Sequence, residues 1–222
     1  QGELATTAFQ SLGLPSYSVI SPSTWGYDKK AADMYRYNLE EAGRLLEESG
    51  WVDSNGDGIR EKDGENLTVD WPDNPAWSET FNELLMSYLN DAGFDVQYRS
   101  MDDGAAYEEL LAGNYTLVYM YWTRPDPSPL RYLFHSENVN GGGAWANFVN
   151  ADLDAALADA DTNTDENARK EDYAKAQQII MENALVIPMF TVNTSYLTAP
   201  VVQGFSFDLE GYPFLYNISI AQ

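Results

Sequence analysis

The chain has no cysteine and one histidine. The missing thiols remove disulfides, zinc–thiolate centres and thiol catalysis together. A Ser–His–Asp site has only His135 to use, and that residue sits in Leu133-Phe-His-Ser136 with no G-x-S-x-G elsewhere. Transition-metal sites lack ligands in the same way. Basic residues are scarce, 12 against 35 acidic, for a formal charge of −23. Such a surface repels phosphate backbones and anionic lipid, so nucleic acid is not an expected partner, and the charge reads first as a solubilising device. No apolar run approaches the roughly 20 residues needed to cross a bilayer. The chain opens at Gln1 without Met or a signal pattern, as expected of a processed protein or a cut piece. No G-x-G-x-x-G or G-K-[ST] phosphate cradle occurs, and Gly141-Gly142-Gly143 lacks a following helix and lysine.

What is present suits a folded binding surface. Hydrophobic residues make up 44% of 222 positions, enough for one large domain or two small ones. There are 15 tyrosines and 6 tryptophans, more than a core alone requires and fit for stacking on a ligand.

Residues 1–37 lack clean periodicity, with Pro15, Pro22 and Gly26 marking loops, and read as an extended lead-in. Asn38 and Glu41 form a capping box for a helix closed by Gly50, with Leu39, Ala42, Leu45 and Leu46 on one face. A strand at 67–71 follows, then a helix from about Pro75 to Asp91 and a strand at 94–99. Tyr107–Leu111 is a short helix, capped by Asp102-Asp103 and closed by Gly113. Tyr115–Trp122 is nearly continuous in apolar and aromatic residues and predicts a buried central strand. Strand–helix–strand–helix–strand implies parallel neighbours, with a ligand crevice beyond their carboxyl ends, where Trp122 falls. Two helices are expected from Asn150 and over 165–183, then strands at 185–192 and 195–197. No internal repeat is visible.

Two stretches carry candidate chemistry. In WVDSNGDGIREKDG, Asp53, Asn55, Asp57 and Gly58 match the first half of a calcium loop, and Ile59 supplies a carbonyl. Gly64 stands where the closing glutamate belongs, with Asp63 and Glu61 as nearby substitutes. The other reading is a solvated turn rich in Asn, Asp and Gly, with no metal. In WTRPDPSPLR, Trp122 can stack, Arg124 can grip a carboxylate and Asp126 can take an ammonium or hydroxyl. The same segment also reads as a proline-rich loop with a helix starting at Pro129. Thr123, Trp145 and Asn147 join the candidate ligand residues. Acid pairs that could hydrolyse glycosides are unavoidable by chance among 35 carboxylates.

The pieces in order resemble the family 5 extracellular solute-binding proteins, the peptide- and nickel-type receptors of ABC importers. YNLEEAGRLLEESGWVDSNGDGIREKDGENLTV (37–69), LVYMYWTRPDPSPLRYLFHS (117–136) and the run 145–190 carry the resemblance. In the last, Asn147, Leu153, Asp154, Asp165, Arg169, Tyr173, Gln177 and Pro188 match position by position. The resemblance implies an α/β fold, a type II periplasmic-binding-protein-like lobe whose mixed sheet carries parallel βαβ units flanked by helices. It implies a lead-in over 1–37, a ligand-binding lobe over 38–200, and a tail over 201–222 that in full-length relatives returns to another lobe. It implies a non-enzymatic receptor, exported and often lipid-anchored, that closes on a peptide or other small solute and delivers it to a membrane permease. A metal in the 53–63 turn fits it, as a structural calcium. Where the peptide branch places an aspartate three residues after the cleft tryptophan, this chain has Pro125, with Asp126 one place later. A secreted carbohydrate-binding or glycoside-hydrolysing protein is the alternative.

Overall fold

The computed structural model describes residues 1–222 except 10, 11, 75–77, 123, 140, 141 and 222. The chain forms two compact units. One comprises Gln1–Ala8 and Tyr35–Tyr121, the other Phe9–Met34 and Trp122–Gln222.

The first unit is built on one βαβ element. Strand β4 (Thr68–Asp73) pairs in parallel with β5 (Asp95–Ser100), Thr68 opposite Asp95 and Asp73 opposite Ser100. Helix α4 (Glu79–Asp91) connects them. Its expected start at Pro75 moves to Glu79, because the Ser78 side chain accepts from the Phe81 N–H and caps the helix there. Pro75 and Trp77 lie outside the described residues. Alternation on β4 buries Val69 and Trp71, and α4 buries Phe81, Asn82 and Leu85. Gly93, at φ +94°, turns the chain from α4 into β5. Helix α3 (Leu39–Glu48) starts at the predicted cap, with Asn38 accepting from the Glu41 N–H, yet it buries no residue. Helix α5 (Asp103–Ala112) is capped by Asp102 and ended by Gly113 in the left-handed region. The short strands β2 (Glu61–Lys62) and β3 (Glu65–Asn66) form a hairpin beyond the acidic loop.

The central strand expected at 115–122 does not form. The Thr116 and Leu117 N–H groups both donate to the Asp70 carbonyl, at 2.8 and 3.1 Å, and no ladder follows. Two donors on one acceptor end the register. Met120, Tyr121 and Trp122 then stand 41–45% exposed. Apolar composition forecast burial, but a strand also needs a partner edge in register. Among the described residues one βαβ unit therefore stands where two were expected, and Trp122 does not end a strand.

The second unit is mainly helical. Helices α7 (Ala151–Thr162) and α8 (Glu166–Glu182) form its core, starting where the sequence predicts and capped there by the Asn150 and Asp165 side chains. Leu153, Leu157 and Ala160 meet Tyr173, Ala176 and Ile180, and α6 (Pro129–Phe134) adds Leu130 and Phe134. Each such large side chain stabilises the unit by about 1.5–3 kcal/mol. The 1–37 stretch is divided: α1 (Gly2–Phe9) falls in the first unit except for Phe9, while β1 (Gly13–Pro15) and α2 (Lys29–Ala32) belong to the second. Strand β1 pairs antiparallel with β6 (Phe190–Val192), so the strand expected over 185–192 shrinks to its last three residues. Residues 195–197 make no strand, and Leu197 is fully exposed. The tail closes with β7 (Val202–Gln203) against β8 (Ser219–Ile220). Among the described residues no helix is long and apolar enough to cross a membrane.

Candidate functional site

The segment 122–131 lies in the second unit and is held from beneath. The Trp25 N–H donates to the Pro125 carbonyl at 3.3 Å, and the Thr24 hydroxyl to the Arg124 carbonyl at 3.5 Å. Pro127 is fully buried. Pro129 begins α6, where a missing N–H costs nothing.

Arg169 on α8 completes the support. Its guanidinium carbon lies 5.0 Å from the Trp25 ring centroid and 5.9 Å from that of Tyr173. Its Nε donates to the Ala160 carbonyl at 2.9 Å, and its Nη2 lies 3.8 Å from the Asp126 carboxylate. Burial, more than neighbouring charge, pushes the Tyr173 hydroxyl up to about 12, so the phenol stays neutral beside Asp161. Asp126 also accepts the Ser128 N–H at 2.8 Å. Its carboxylate is therefore engaged by the loop that it shapes.

The opposite side of the loop is open. Trp122 is 45% exposed, and Arg124 lies over it with the guanidinium carbon 5.8 Å from the ring centroid. Glu210 of the tail reaches the same guanidinium at 3.6 Å. Tyr132, on α6, presents a second ring 6.4 Å from Trp122, the planes 35° apart. The structure thus brings Trp122 and Arg124 together and places Asp126 toward Arg169. Trp145 is half-buried in the turn after Gly143, its N–H donating to the Gly143 carbonyl at 3.0 Å. Asn147 is exposed at φ +49°, a left-handed conformation that asparagine tolerates. Thr123 lies outside the described residues.

Sequence reasoning did not find Tyr132, Arg169 or Glu210 as neighbours of this segment. Arg169 and Tyr132 stand on helices whose periodicity marked core and surface but not direction. Glu210 is 86 positions from Arg124, and nothing local connects them.

The acidic loop of the first unit is ordered by its own hydrogen bonds. Asp53 accepts the Gly56 and Gly58 N–H groups at 2.7 and 3.0 Å. Asp57 accepts the Ile59 N–H at 2.8 Å, and Asn55 accepts the Asp57 N–H at 2.8 Å. Glu61 takes the Ser54 N–H at 3.0 Å and the Asn55 amide at 2.7 Å. One oxygen each from Asp53, Asp57 and Glu61 lies within 4.8 Å of the others. This all-oxygen set suits a hard divalent cation. Asp63 instead occupies a left-handed turn, φ +55°, between β2 and β3. The neighbouring Arg60 turns away, donating to the Ala92 and Trp51 carbonyls at 3.1 and 3.0 Å.

Residues 2–143 match the model of the bacterial extracellular solute-binding proteins, family 5 middle. The oligopeptide-binding protein AppA of Bacillus subtilis is 26% identical over 216 residues, covering 93% of this chain and 38% of its own length. A solved AppA structure with a nonapeptide overlays 99% of the chain on 45% of itself, with a TM-score of 0.74 at 23% identity. NikA from Brucella suis, solved with Fe(III)-EDTA, overlays 98% of the chain on 45% of itself, with a TM-score of 0.79 at 20% identity. These likenesses place the fold among the type II periplasmic binding proteins. The chain spans less than half the length of each of them. By its sequence and its fold, the chain belongs to the family 5 bacterial extracellular solute-binding proteins.

Proposed function

We propose that this chain is a ligand-binding part of the solute receptor of an ABC importer, taking up a peptide or another small solute without chemical change. Family membership supports the class, and one observation carries the site. A half-exposed Trp122, flanked by Arg124, stands on a loop clamped from below by Trp25, Thr24 and Arg169. Rigid support beneath an open aromatic ring lowers the entropic cost of ordering a ligand there. Trp122 stacks, Arg124 and Asp126 supply polar contacts, and Trp145 and Asn147 border the same surface. Capture in the full receptor works by closure of lobes, and a ligand that contacts both stabilises the closed form. The receptor acts outside the cytoplasmic membrane, held there by a lipid anchor, and hands the solute to a permease.

An enzymatic role finds little support around His135. The Ser136 hydroxyl donates to Asp154, not to the imidazole, and His135 Nδ1 accepts the Glu137 N–H at 3.1 Å. The acidic loop holds a structural calcium in this account, through Asp53, Asp57 and Glu61, with Asn55 and the Ile59 carbonyl as further oxygens. Asp63 remains outside that set.

The test is a solute screen by thermal shift. A ligand at 100 times its Kd raises stability by about 2.7 kcal/mol. Ligands that shift the melting of the wild-type chain but not of Trp122→Ala support the site. Equal shifts in both place binding elsewhere.

A further inference from the structure

Isolated exposed aromatic residues are ordinary on a protein surface. Trp122 and Tyr132 differ in two respects. They are neighbours, with centroids 6.4 Å apart, planes tilted by 35°, and about half of each residue open to solvent. Tyr132 also has a seat made for it. A Cβ on the buried Gly143 would fall 2.2 Å from Tyr132 Cε1 and 2.6 Å from Cδ1, so only a glycine admits the ring at this distance. Backbone supports one side of the ring while the other remains exposed. Fixing an aromatic ring in this way removes rotamer entropy that a ligand would otherwise have to overcome.

The charged side chains at 124 and 126 of this loop are ion-paired. Arg124 faces Glu210 at 3.6 Å, and Asp126 faces Arg169 at 3.8 Å. A peptide terminus brings a full charge into a site and needs an opposite charge that is not already compensated. A neutral polyol has no such need. It requires flat apolar contact for its C–H faces, and hydrogen-bonding groups at the rim for its hydroxyls. Ion-paired guanidinium and carboxylate groups still provide donors and acceptors for those hydroxyls.

We propose that Tyr132, seated on Gly143, is a second stacking residue beside Trp122, and that the two rings take a neutral oligosaccharide built of pyranose units. This inference rests on the ligand surface assigned above and adds to it a residue and a solute class.

The test is isothermal titration of the chain with cellohexaose, maltohexaose and xylohexaose, and in parallel with trialanine carrying free termini. The inference expects at least one hexasaccharide to bind and trialanine not to. Tyr132→Phe keeps that affinity, because the face is unchanged, whereas Tyr132→Ala weakens it about tenfold. Gly143→Ala weakens it similarly by displacing the ring, and serves as the second variant if Tyr132→Ala fails to fold. Binding of trialanine alone, or of none of the four ligands, overturns the solute class. Hexasaccharide binding that falls in Trp122→Ala but is unchanged in Tyr132→Ala and Gly143→Ala overturns the role of Tyr132 and leaves the surface at Trp122 standing. Hexasaccharide binding indifferent to Trp122 and Tyr132 alike removes the underlying surface as well.

Discussion

Gln177 donates its side-chain amide to the Gly26 carbonyl at 2.7 Å, from a position with no exposed surface. The same group donates to the Tyr173 carbonyl at 3.0 Å, and its oxygen accepts the Asp28 N–H at 3.1 Å. One amide thus fastens the strap around Gly26 to helix α8. That strap supports the 122–128 loop. Gln177→Leu keeps the volume but leaves the Gly26 carbonyl and the Asp28 N–H without this partner. Each orphaned group costs about 1–3 kcal/mol. Urea denaturation should show a lower midpoint with an unchanged slope.

Gly93 and Arg60 make a second lock, in the other unit. A Cβ at Gly93 would fall 2.6 Å from Arg60 Cγ, and the backbone there has φ +94°. Gly93→Ala is expected to destabilise by more than about 1 kcal/mol, combining backbone strain with the displacement of Arg60. Arg60→Ala removes the obstruction but not the strain. In a double-mutant cycle the two losses should therefore sum to more than the loss in the double variant.

Asp73 gives a pH signature. Burial raises its carboxyl above the ordinary 3.8, outweighing the hydrogen bonds from Tyr98 and Asn82 that act the other way, and Asp103 adds to the rise. Below pH 3.8 both folded and unfolded chains hold this proton. As pH climbs from 3.8 toward the raised folded value, only the folded chain still holds it, so this residue's contribution to stability falls. Above that value the penalty is complete. Asp73→Asn should therefore gain stability relative to wild type at pH 7, and the gap should close near pH 3. A gap independent of pH would locate the effect in packing instead.

The acidic loop predicts a metal response. Calcium added to chelator-treated chain should raise its melting temperature, with no response in Asp53→Asn/Asp57→Asn. Glu61→Gln should weaken the response and Asp63→Asn should leave it intact. That difference separates the oxygen cluster seen in the structure from the pairing suggested by sequence spacing.

Local signals in the sequence proved reliable at several helix starts, though the Ser78 cap of α4 was missed. Asn38 and Asp102 cap helices where their spacing predicted, and the helices expected from Asn150 and from about 165 begin there, capped by Asn150 and Asp165. The faces of α7 and α8 were visible as periodic apolar residues, and Leu153, Leu157, Tyr173 and Ile180 are fully buried. Failures arose where structure depends on a distant partner. The apolar run at 115–122 needed a neighbouring edge in register, and its Thr116 and Leu117 N–H groups instead share the Asp70 carbonyl. Asp126 shapes its own loop through Ser128, close by, but its other partner, Arg169, stands 43 positions away and was not legible. Trp122 and Arg124 were legible as a pair because they are near neighbours in the chain. Tyr132 was not, since its place depends on the fold of residues 142–145.

The central claim is that solute binds on the surface around Trp122. Its most direct test is calorimetric titration of wild type and Trp122→Ala with one solute identified by the thermal screen. Trp122 is half exposed, so its removal should leave the melting temperature of the free chain nearly unchanged. The account predicts affinity at least tenfold weaker in the variant, about 1.4 kcal/mol. Equal affinity in the two proteins, with both fully folded, would contradict it.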